Sequence, residues 1–559
     1  MNLDKRFYIF ILINILVPLF APFSKISNYT RAGLYSFIFI LAVYFLLDFI
    51  RSTKVQSIIK TAITIICMLL GLIELFCIFN FNTQIETGVL DALLATQLQE
   101  SKNFMTFYMT MEDNIVLFIV YVLLCVLFFT IKKDFILTIN KKFAGIFLAL
   151  ACIVFATLGI KDYFRDDSFH TLEKLASLIN IPNTIYTALT SMQHTKTALK
   201  EYEDYRKNIE SNLKNSHAYI TQNHADIPNI IIVIGESASK NFMHIYGYPL
   251  STTPHLDQAQ KNGNLFVFRD VIAPEARTES VFTTLLNFSD YENRQIPWYQ
   301  QMNLIDTMKM AGYKTLWFSN QEKISVWGNK HSALAARADL AYWTQLKNST
   351  TDMYDGKLLD LFEKHKKNLG KKNLIVFHLE GSHFDYKSRY PLGFKKFYAD
   401  NIPTQNLHTT KNSDLQKVAD YINSITYTDA VLDEIFHLFN DSDSIVFYLS
   451  DHAQDIFETD GSIGHRCSNY GVDIPFMIFV SDTFKKLHPQ KVQAIQSALN
   501  KPFMTDDFIQ SLLPLIGITT QDNISSKNIF SPHFDTHRKR IYCKERDYDA
   551  LKYPNTGHK

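Results

Sequence analysis

The chain has no surplus of either charge: 56 Lys and Arg stand against 55 Asp and Glu, for a formal net charge of +1. That balance argues against a nucleic-acid partner, because binding a phosphate backbone draws on a basic excess. No internal repeat or low-complexity tract occurs in the 559 residues, which excludes solenoids and compositionally biased arrays. Cysteine is scarce as well. Of the six, Cys67, Cys77, Cys125 and Cys152 lie in long apolar stretches, where a small packing residue is the ordinary reading. Only Cys467 and Cys543 remain. They allow one disulfide, whose geometry the sequence does not supply, and rule out a disulfide-built scaffold.

The near-zero mean hydropathy conceals two unlike parts. Apolar stretches run Phe7 to Ser24, Ala32 to Ile50, Thr61 to Phe81, Asn114 to Ile131 and Phe143 to Ile160, each meeting the roughly 18 to 20 residues a helix needs to cross a bilayer. A cleavable signal peptide would account for the first alone, and four more follow. Lys5-Arg6, Arg51 with Lys54, and Lys132-Lys133 with Lys141-Lys142 fall on one side of this five-helix bundle, which should be cytoplasmic. An odd number of spans then exports the rest, so the expected location is a bacterial inner membrane with the C-terminal domain in the periplasm. Asp48 and Glu74 are intramembrane acids and candidates for function; the alternative is a helix end for Asp48 and a polar bundle interior for Glu74. The expected domains are a transmembrane domain at 1–164, a linker at 165–225 and an α/β domain at 226–559. In the linker, Thr171 to Leu178 and Ile185 to Leu199 read as surface-lying amphipathic helices, and Lys200 to Asn215 as a charged one.

In the second part, short apolar runs lead into polar residues suited to metal or phosphate chemistry. Asn229 to Ile234 leads into Gly235-Glu236-Ser237, Thr315 to Phe318 into Ser319-Asn320, and Leu374 to Phe377 into His378 and Gly381-Ser382-His383. Ile445 to Leu449 leads into Ser450-Asp451-His452, and Pro475 to Val480 follows Gly464-His465. Longer amphipathic stretches separate them, Met353 to His365 and Asp414 to Phe439 among them. That alternation predicts a mainly parallel sheet covered by helices. Ligands of such sheets sit beyond the carboxyl ends of the strands, where these polar residues fall.

Glu236, Asp451, His452 and His465 offer carboxylate and imidazole donors, the set expected for zinc or a similar divalent ion. The alternative for Asp451-His452 is a surface dipeptide. A hydroxyl nucleophile beside such an ion would allow group transfer through a covalent intermediate. Thr278 and Ser280 precede an apolar stretch, Val281 to Asn287, that reads as a helix. A hydroxyl there can be a cap, and the helix start can also favour phosphate oxygens. Spacing does not choose between the two.

Gly235-Glu236-Ser237, Tyr246-Gly247-Tyr248, Thr252-Thr253-Pro254, Thr278, Gly381-Ser382-His383, Ser450-Asp451-His452 and Gly464-His465 occur in that order. The series resembles the membrane phosphoethanolamine transferases that modify lipid A and the lipopolysaccharide core, within the alkaline phosphatase and sulfatase superfamily. The resemblance covers the whole chain, five N-terminal spans included, and implies an alkaline-phosphatase/sulfatase-like α/β domain. It implies zinc, with manganese as the alternative ion, held by Glu236, Thr278, Asp451 and His452, with Thr278 as nucleophile. His383 and His465 would take the phosphate-binding or second-metal positions. Thr96 and Glu100 match the family's lipid-linked Thr-x-x-x-Glu element, although Ala92 stands where an asparagine is usual, and both can equally be an ordinary polar helix face. Ala453 replaces the usual glycine after Asp-His.

The implied reaction takes phosphoethanolamine from phosphatidylethanolamine onto Thr278, releases diacylglycerol, and passes the group to a lipopolysaccharide or other envelope acceptor. The scarcity of exported cysteines inclines the acceptor toward a core sugar. Asn320 is a candidate contact to ethanolamine or phosphate, or a structural amide. One rival is a phosphoglycerol transferase using phosphatidylglycerol. Another is a catalytically dead lipid-binding membrane protein, whose sign would be a missing ligand or nucleophile. A sulfatase activity is disfavoured because Thr278 does not sit in a Cys/Ser-x-Pro-x-Arg segment.

Overall fold

The structure is a computed structural model, and it describes residues 2–19, 26–81, 108, 112–130, 136–166, 219–322, 330–345 and 354–550. Thr96, Glu100 and the expected linker helices lie outside the described residues. The chain divides into two compact units, one carrying the N-terminal helices and the other the C-terminal α/β fold.

In the first unit, α1 (Lys5–Leu19), α2 (Ile26–Leu47), α3 (Thr53–Phe81), α4 (Glu112–Thr130) and α5 (Lys141–Asp166) overlie the five apolar stretches. Among the described residues one helix, Thr53–Asn80, is long and apolar enough by itself to cross a bilayer. Two buried asparagines inside this unit pair with each other. Asn80 on α3 and Asn114 on α4 exchange amide hydrogen bonds of 2.8 and 3.0 Å, the kind of interhelical contact an apolar solvent favours. Asp48 lies just past α2 and pairs with Lys141 at 2.7 Å, while Glu74 is buried.

The second unit is built on a seven-stranded sheet. Its strands are β1 (Asn229–Gly235), β2 (Leu265–Phe268), β3 (Lys314–Glu322), β4 (Leu340–Gln345), β5 (Asn373–His378), β6 (Ser444–Ser450) and β7 (Phe476–Val480), in spatial order β2-β7-β6-β1-β5-β3-β4. β6, β1, β5, β3 and β4 run parallel, and β7 is antiparallel to both β6 and β2. The sheet is thus mainly parallel, as the apolar runs predict. β1 is apolar on both faces because both are covered: Ile230 through Ile234 are completely buried. One face packs Ile230, Ile232 and Ile234 with Val376, Phe447, Leu449 and Leu512. Helices α6 (Lys357–His365) and α7 (Asn412–Phe439) realise the two predicted amphipathic stretches.

Register brings the chemistry to one level. Gly235 lies opposite Ser450, Ile234 opposite His378, and His378 opposite Ser319. Three strands therefore release their chains into loops at the same sheet edge.

Candidate active site

Glu236 and Ser237 begin where β1 ends. Ser237 takes a positive φ of 60°, a sharp turn that lets its hydroxyl reach back to its neighbour, donating to Glu236 Oε1 at 2.6 Å. Gly381, at φ 54°, lies against this turn, and a Cβ there would stand 2.6 Å from the Glu236 carbonyl oxygen. Only glycine fits so close an approach in that conformation. Asp451 and His452 leave β6 through a backbone turn of their own. Asp451 Oδ1 accepts from the His452 and Ser237 amides at 2.7 and 3.2 Å. Ser450 closes the loop, its Oγ accepting from Ala238 N and donating to the His452 carbonyl.

Thr278 comes from a separate loop and meets both. Its hydroxyl donates to Glu236 Oε2 at 2.9 Å and lies 3.1 Å from His452 Nε2. His452 Nδ1 is 2.9 Å from the Ala453 carbonyl, which fixes the proton on Nδ1 and leaves the Nε2 lone pair facing the site. Nε2 is 3.3 Å from Glu236 Oε1 and 3.5 Å from Asp451 Oδ2. Ser280, the alternative hydroxyl, is tied into the turn by its backbone, its carbonyl accepting from Thr283.

The expected helix over Val281 to Asn287 is corrected. The helix is one turn, Thr278–Val281, with Arg277 at its N-cap, and non-helical turns follow. Thr283, Thr284 and Asn287 direct side-chain donors at the Ser280, Val281 and Thr283 carbonyls, competing with the backbone ladder. With so few aligned peptides the helix-start field at Thr278 is small.

The donor set fits a metal ion. Donor atoms of Glu236, His452 and His465 lie within 4.8 Å of one another. Asp451 Oδ2 is buried without a hydrogen-bond partner, an arrangement costly for a carboxylate unless a cation meets it. Burial pushes Glu236 up to about 8, with the Asp451 charge adding to the effect. Burial likewise pushes Asp451 up to about 6, against hydrogen bonds from the His452 and Ser237 amides. Burial lowers His452 and holds His383 and His465 well below the ordinary histidine value, so all three are neutral lone-pair donors at pH 7.

The histidines converge. The His465 ring centroid is 4.6 Å from that of His452 and 5.7 Å from that of His383. His383 Nδ1 is 3.1 Å from the Phe384 carbonyl. Two residues absent from the sequence reasoning hold this side of the site. Gln454, fully buried, donates to Ser237 Oγ at 3.1 Å and to His465 Nε2 at 2.9 Å, and its carbonyl accepts from Tyr386. A polar residue two positions past His452 was the only sequence signal for it.

Asn320 is not in this cluster. Its amide donates to Asp355 at 2.8 Å and its carbonyl accepts from Thr344, while Asp355 also accepts from the Glu380 and Gly381 amides. That is the structural-amide geometry, supporting the loop that carries His383. Cys467 and Cys543 form a disulfide.

Comparison with known proteins agrees with this architecture. The sulfatase family profile matches residues 228–518, more than half of the chain. A phosphoethanolamine transferase, EptC of Escherichia coli O18:K1:H7, is 24% identical over 526 residues, spanning 89% of this chain and 87% of its own. The zinc complex of the C-terminal periplasmic domain of Escherichia coli EptC superposes with a TM-score of 0.55 at 26% identity, covering 60% of this chain and 97% of that one. The integral membrane lipooligosaccharide phosphoethanolamine transferase A of Neisseria meningitidis shares the fold along 94% of this chain and 95% of its own, with a TM-score of 0.61 at 18% identity. With its strand order, its Thr278 cluster and the matched span together, the chain belongs to the sulfatase family, as a relative of the phosphoethanolamine transferases.

Proposed function

We propose that this protein is a metal-dependent transferase that moves phosphoethanolamine from phosphatidylethanolamine to an envelope acceptor, a lipid A phosphate or a lipopolysaccharide core sugar. The observation that carries the reading is the Thr278 hydroxyl, 2.9 Å from Glu236 and 3.1 Å from His452, beside the unpartnered Asp451 oxygen. Glu236, Thr278, Asp451 and His452 would hold zinc, the ion suited to this oxygen and nitrogen set. When bound, zinc supplies a Lewis acid that lowers the hydroxyl pKa and offsets phosphate charge.

The chain's own groups do the rest. Glu236 orients the Thr278 hydroxyl, whose proton ends on the leaving glyceryl oxygen. The Thr278 oxygen attacks phosphorus in line, forming the threonine O–P bond as the bond from phosphorus to the glyceryl oxygen breaks. That oxygen leaves with a proton as diacylglycerol. His383 and His465, neutral and convergent, hold the transferring oxygens or pass the proton. The acceptor then attacks the phospho-threonine, and Thr278 regains its hydrogen. Positioning and charge neutralisation dominate such transfers, which suits a site of carboxylates and imidazoles.

A diacyl donor explains the N-terminal unit. We place a five-span membrane domain at 1–164, a linker at 165–225 and the catalytic domain at 226–559, in a bacterial inner membrane with the catalytic domain in the periplasm. The outward apolar residues of α4 and α5, such as Leu123, Leu127, Phe143 and Ile146, are at least 58% exposed, a surface suited to lipid.

The test uses donor lipids with a fluorescent acyl chain. Full-length protein with zinc should release fluorescent diacylglycerol from phosphatidylethanolamine, and Thr278→Ala should release none. Release from phosphatidylglycerol instead would move the chain to phosphoglycerol transfer, and release from neither would remove the lipid-donor reading.

A further inference from the structure

Nine residues past His383, Leu392 is 83% exposed, more than any other large apolar side chain among the described residues. It sits in a one-turn helix, Leu392–Phe394, entered through Pro391. This turn is firmly held. The buried Arg389 guanidinium donates to the His383 and Phe384 carbonyls at 3.0 and 2.8 Å and pairs with Glu380 at 2.9 Å. Tyr390 donates to Asp420 on α7 at 2.6 Å. Asn423, also on α7, accepts from the Lys396 and Phe397 amides and donates to the Phe397 carbonyl, each at 2.9 Å. The Phe394 ring packs edge-on against Tyr427 at 4.9 Å. The same framework that positions His383 therefore holds Leu392 out in water, where a large apolar side chain gains nothing.

The surroundings of Leu392 are cationic and aromatic. Residues 387–400 carry Lys387, Lys395 and Lys396 against Asp400 alone, the buried Arg389 being paired with Glu380. Lys395 lies over the Tyr398 ring at 5.4 Å and Lys396 over Phe394 at 5.8 Å, with Tyr398 half-exposed. An apolar tip with ammonium groups and aromatic rings around it matches the boundary between lipid chains and headgroups. A bilayer is also the partner always at hand, because α3 is long and apolar enough to cross one and tethering raises the effective concentration of whatever surface lies nearby.

We propose that the turn at 391–398 is a membrane-contact site. Leu392 enters the boundary region of a phospholipid surface and Lys395 and Lys396 meet lipid phosphates, so the His383 side of the active site is held where a membrane lipid can reach it. The inference rests on the reading of the chain as membrane-anchored and needs no particular transfer chemistry.

Leu487 provides the control. It is 62% exposed at the end of the helix Asp482–Leu487, which follows antiparallel β7 and so lies at the opposite edge of the sheet, beside the start of β6. Full-length Leu392→Trp and Leu487→Trp are placed in phosphatidylcholine and phosphatidylglycerol nanodiscs with plain or brominated acyl chains, and the parent's own Trp emission is subtracted. Contact predicts that bromination lowers the added Leu392→Trp emission by about twofold or more and leaves that of Leu487→Trp unchanged. Adding Lys395→Glu and Lys396→Glu should weaken the quenching. Equal quenching at the two positions overturns the proposal, as does a Leu392→Trp signal that follows protein concentration rather than bromination, which would mean contact between copies. The readout is lipid contact, so a failed transfer assay and a failed docking test remain separate results.

Discussion

Filling the site with a divalent ion should expel a countable number of protons. Glu236 stands at about 8 and Asp451 at about 6, both raised by burial. At pH 7 the two carboxyls then carry about 0.9 and 0.1 proton, and an ion that binds both as carboxylates releases about one. At pH 5.5 the sum rises to about 1.8, and at pH 9 it falls to about 0.1. His452, lowered by burial, contributes nothing at pH 7. A Thr278→Ala background removes any proton the hydroxyl would add. The assay is calorimetric zinc titration of the chelator-stripped variant in buffers of different ionisation enthalpy at each pH. A release that stays near zero at pH 5.5 and 7 would mean that the carboxyls are already ionised in the metal-free site or do not ligate, and would refute the electrostatic reading. The parent, measured beside the variant, then shows whether Thr278 gives up its own proton to the bound ion.

Three further outcomes follow from the same geometry. Because both carboxyls titrate higher in the folded protein than in the unfolded chain, the unfolded state binds fewer protons between about pH 4 and 8, and stability falls as pH rises through that window. The thermal midpoint of metal-free protein should therefore drop from pH 5.5 to 8, and zinc should flatten the slope; a metal-free midpoint that rises with pH contradicts this. Replacing Cys467 and Cys543 together by Ser opens a 76-residue separation, costing about 4 kcal/mol on the chain-entropy relation; an unchanged urea midpoint would show that the bond adds no stability. Gly381→Ala should cost at least about 1 kcal/mol and weaken zinc binding about tenfold or more, because its Cβ would press on the Glu236 backbone. Gly393→Ala, with open space around its Cβ, should leave both unchanged.

What the sequence revealed was local. Ile230 to Ile234 and Ile445 to Leu449 announce buried strands because both faces are apolar, and a strand's end fixes which residue meets the ligand edge, so Glu236, Asp451 and His452 were readable from position alone. The direction of β7 was not, since a run such as Phe476–Val480 is equally apolar either way. The apolar stretch after Thr278 overstated its helix because hydroxyls that cap carbonyls look the same in sequence as hydroxyls that face water. Spacing alone left Thr278 and Ser280 open, because the contact that sets Thr278 apart is to Glu236, 42 positions away. Gln454 and Tyr386 stayed hidden for the same reason: their meeting spans 68 residues, and that of Gln454 with Ser237 spans 217. Asn320 sat at the expected edge, yet Asp355 and Thr344 take up its amide.

The most direct test of transfer through Thr278 is the intact mass of zinc-loaded, full-length protein after brief exposure to phosphatidylethanolamine without acceptor, followed by peptide mapping. A phosphoethanolamine adduct on Thr278, absent from Thr278→Ala and discharged when acceptor is added, is the expected result. Diacylglycerol release from phosphatidylethanolamine with no adduct on any residue at any time would contradict a covalent intermediate and take Thr278 out of its nucleophilic role.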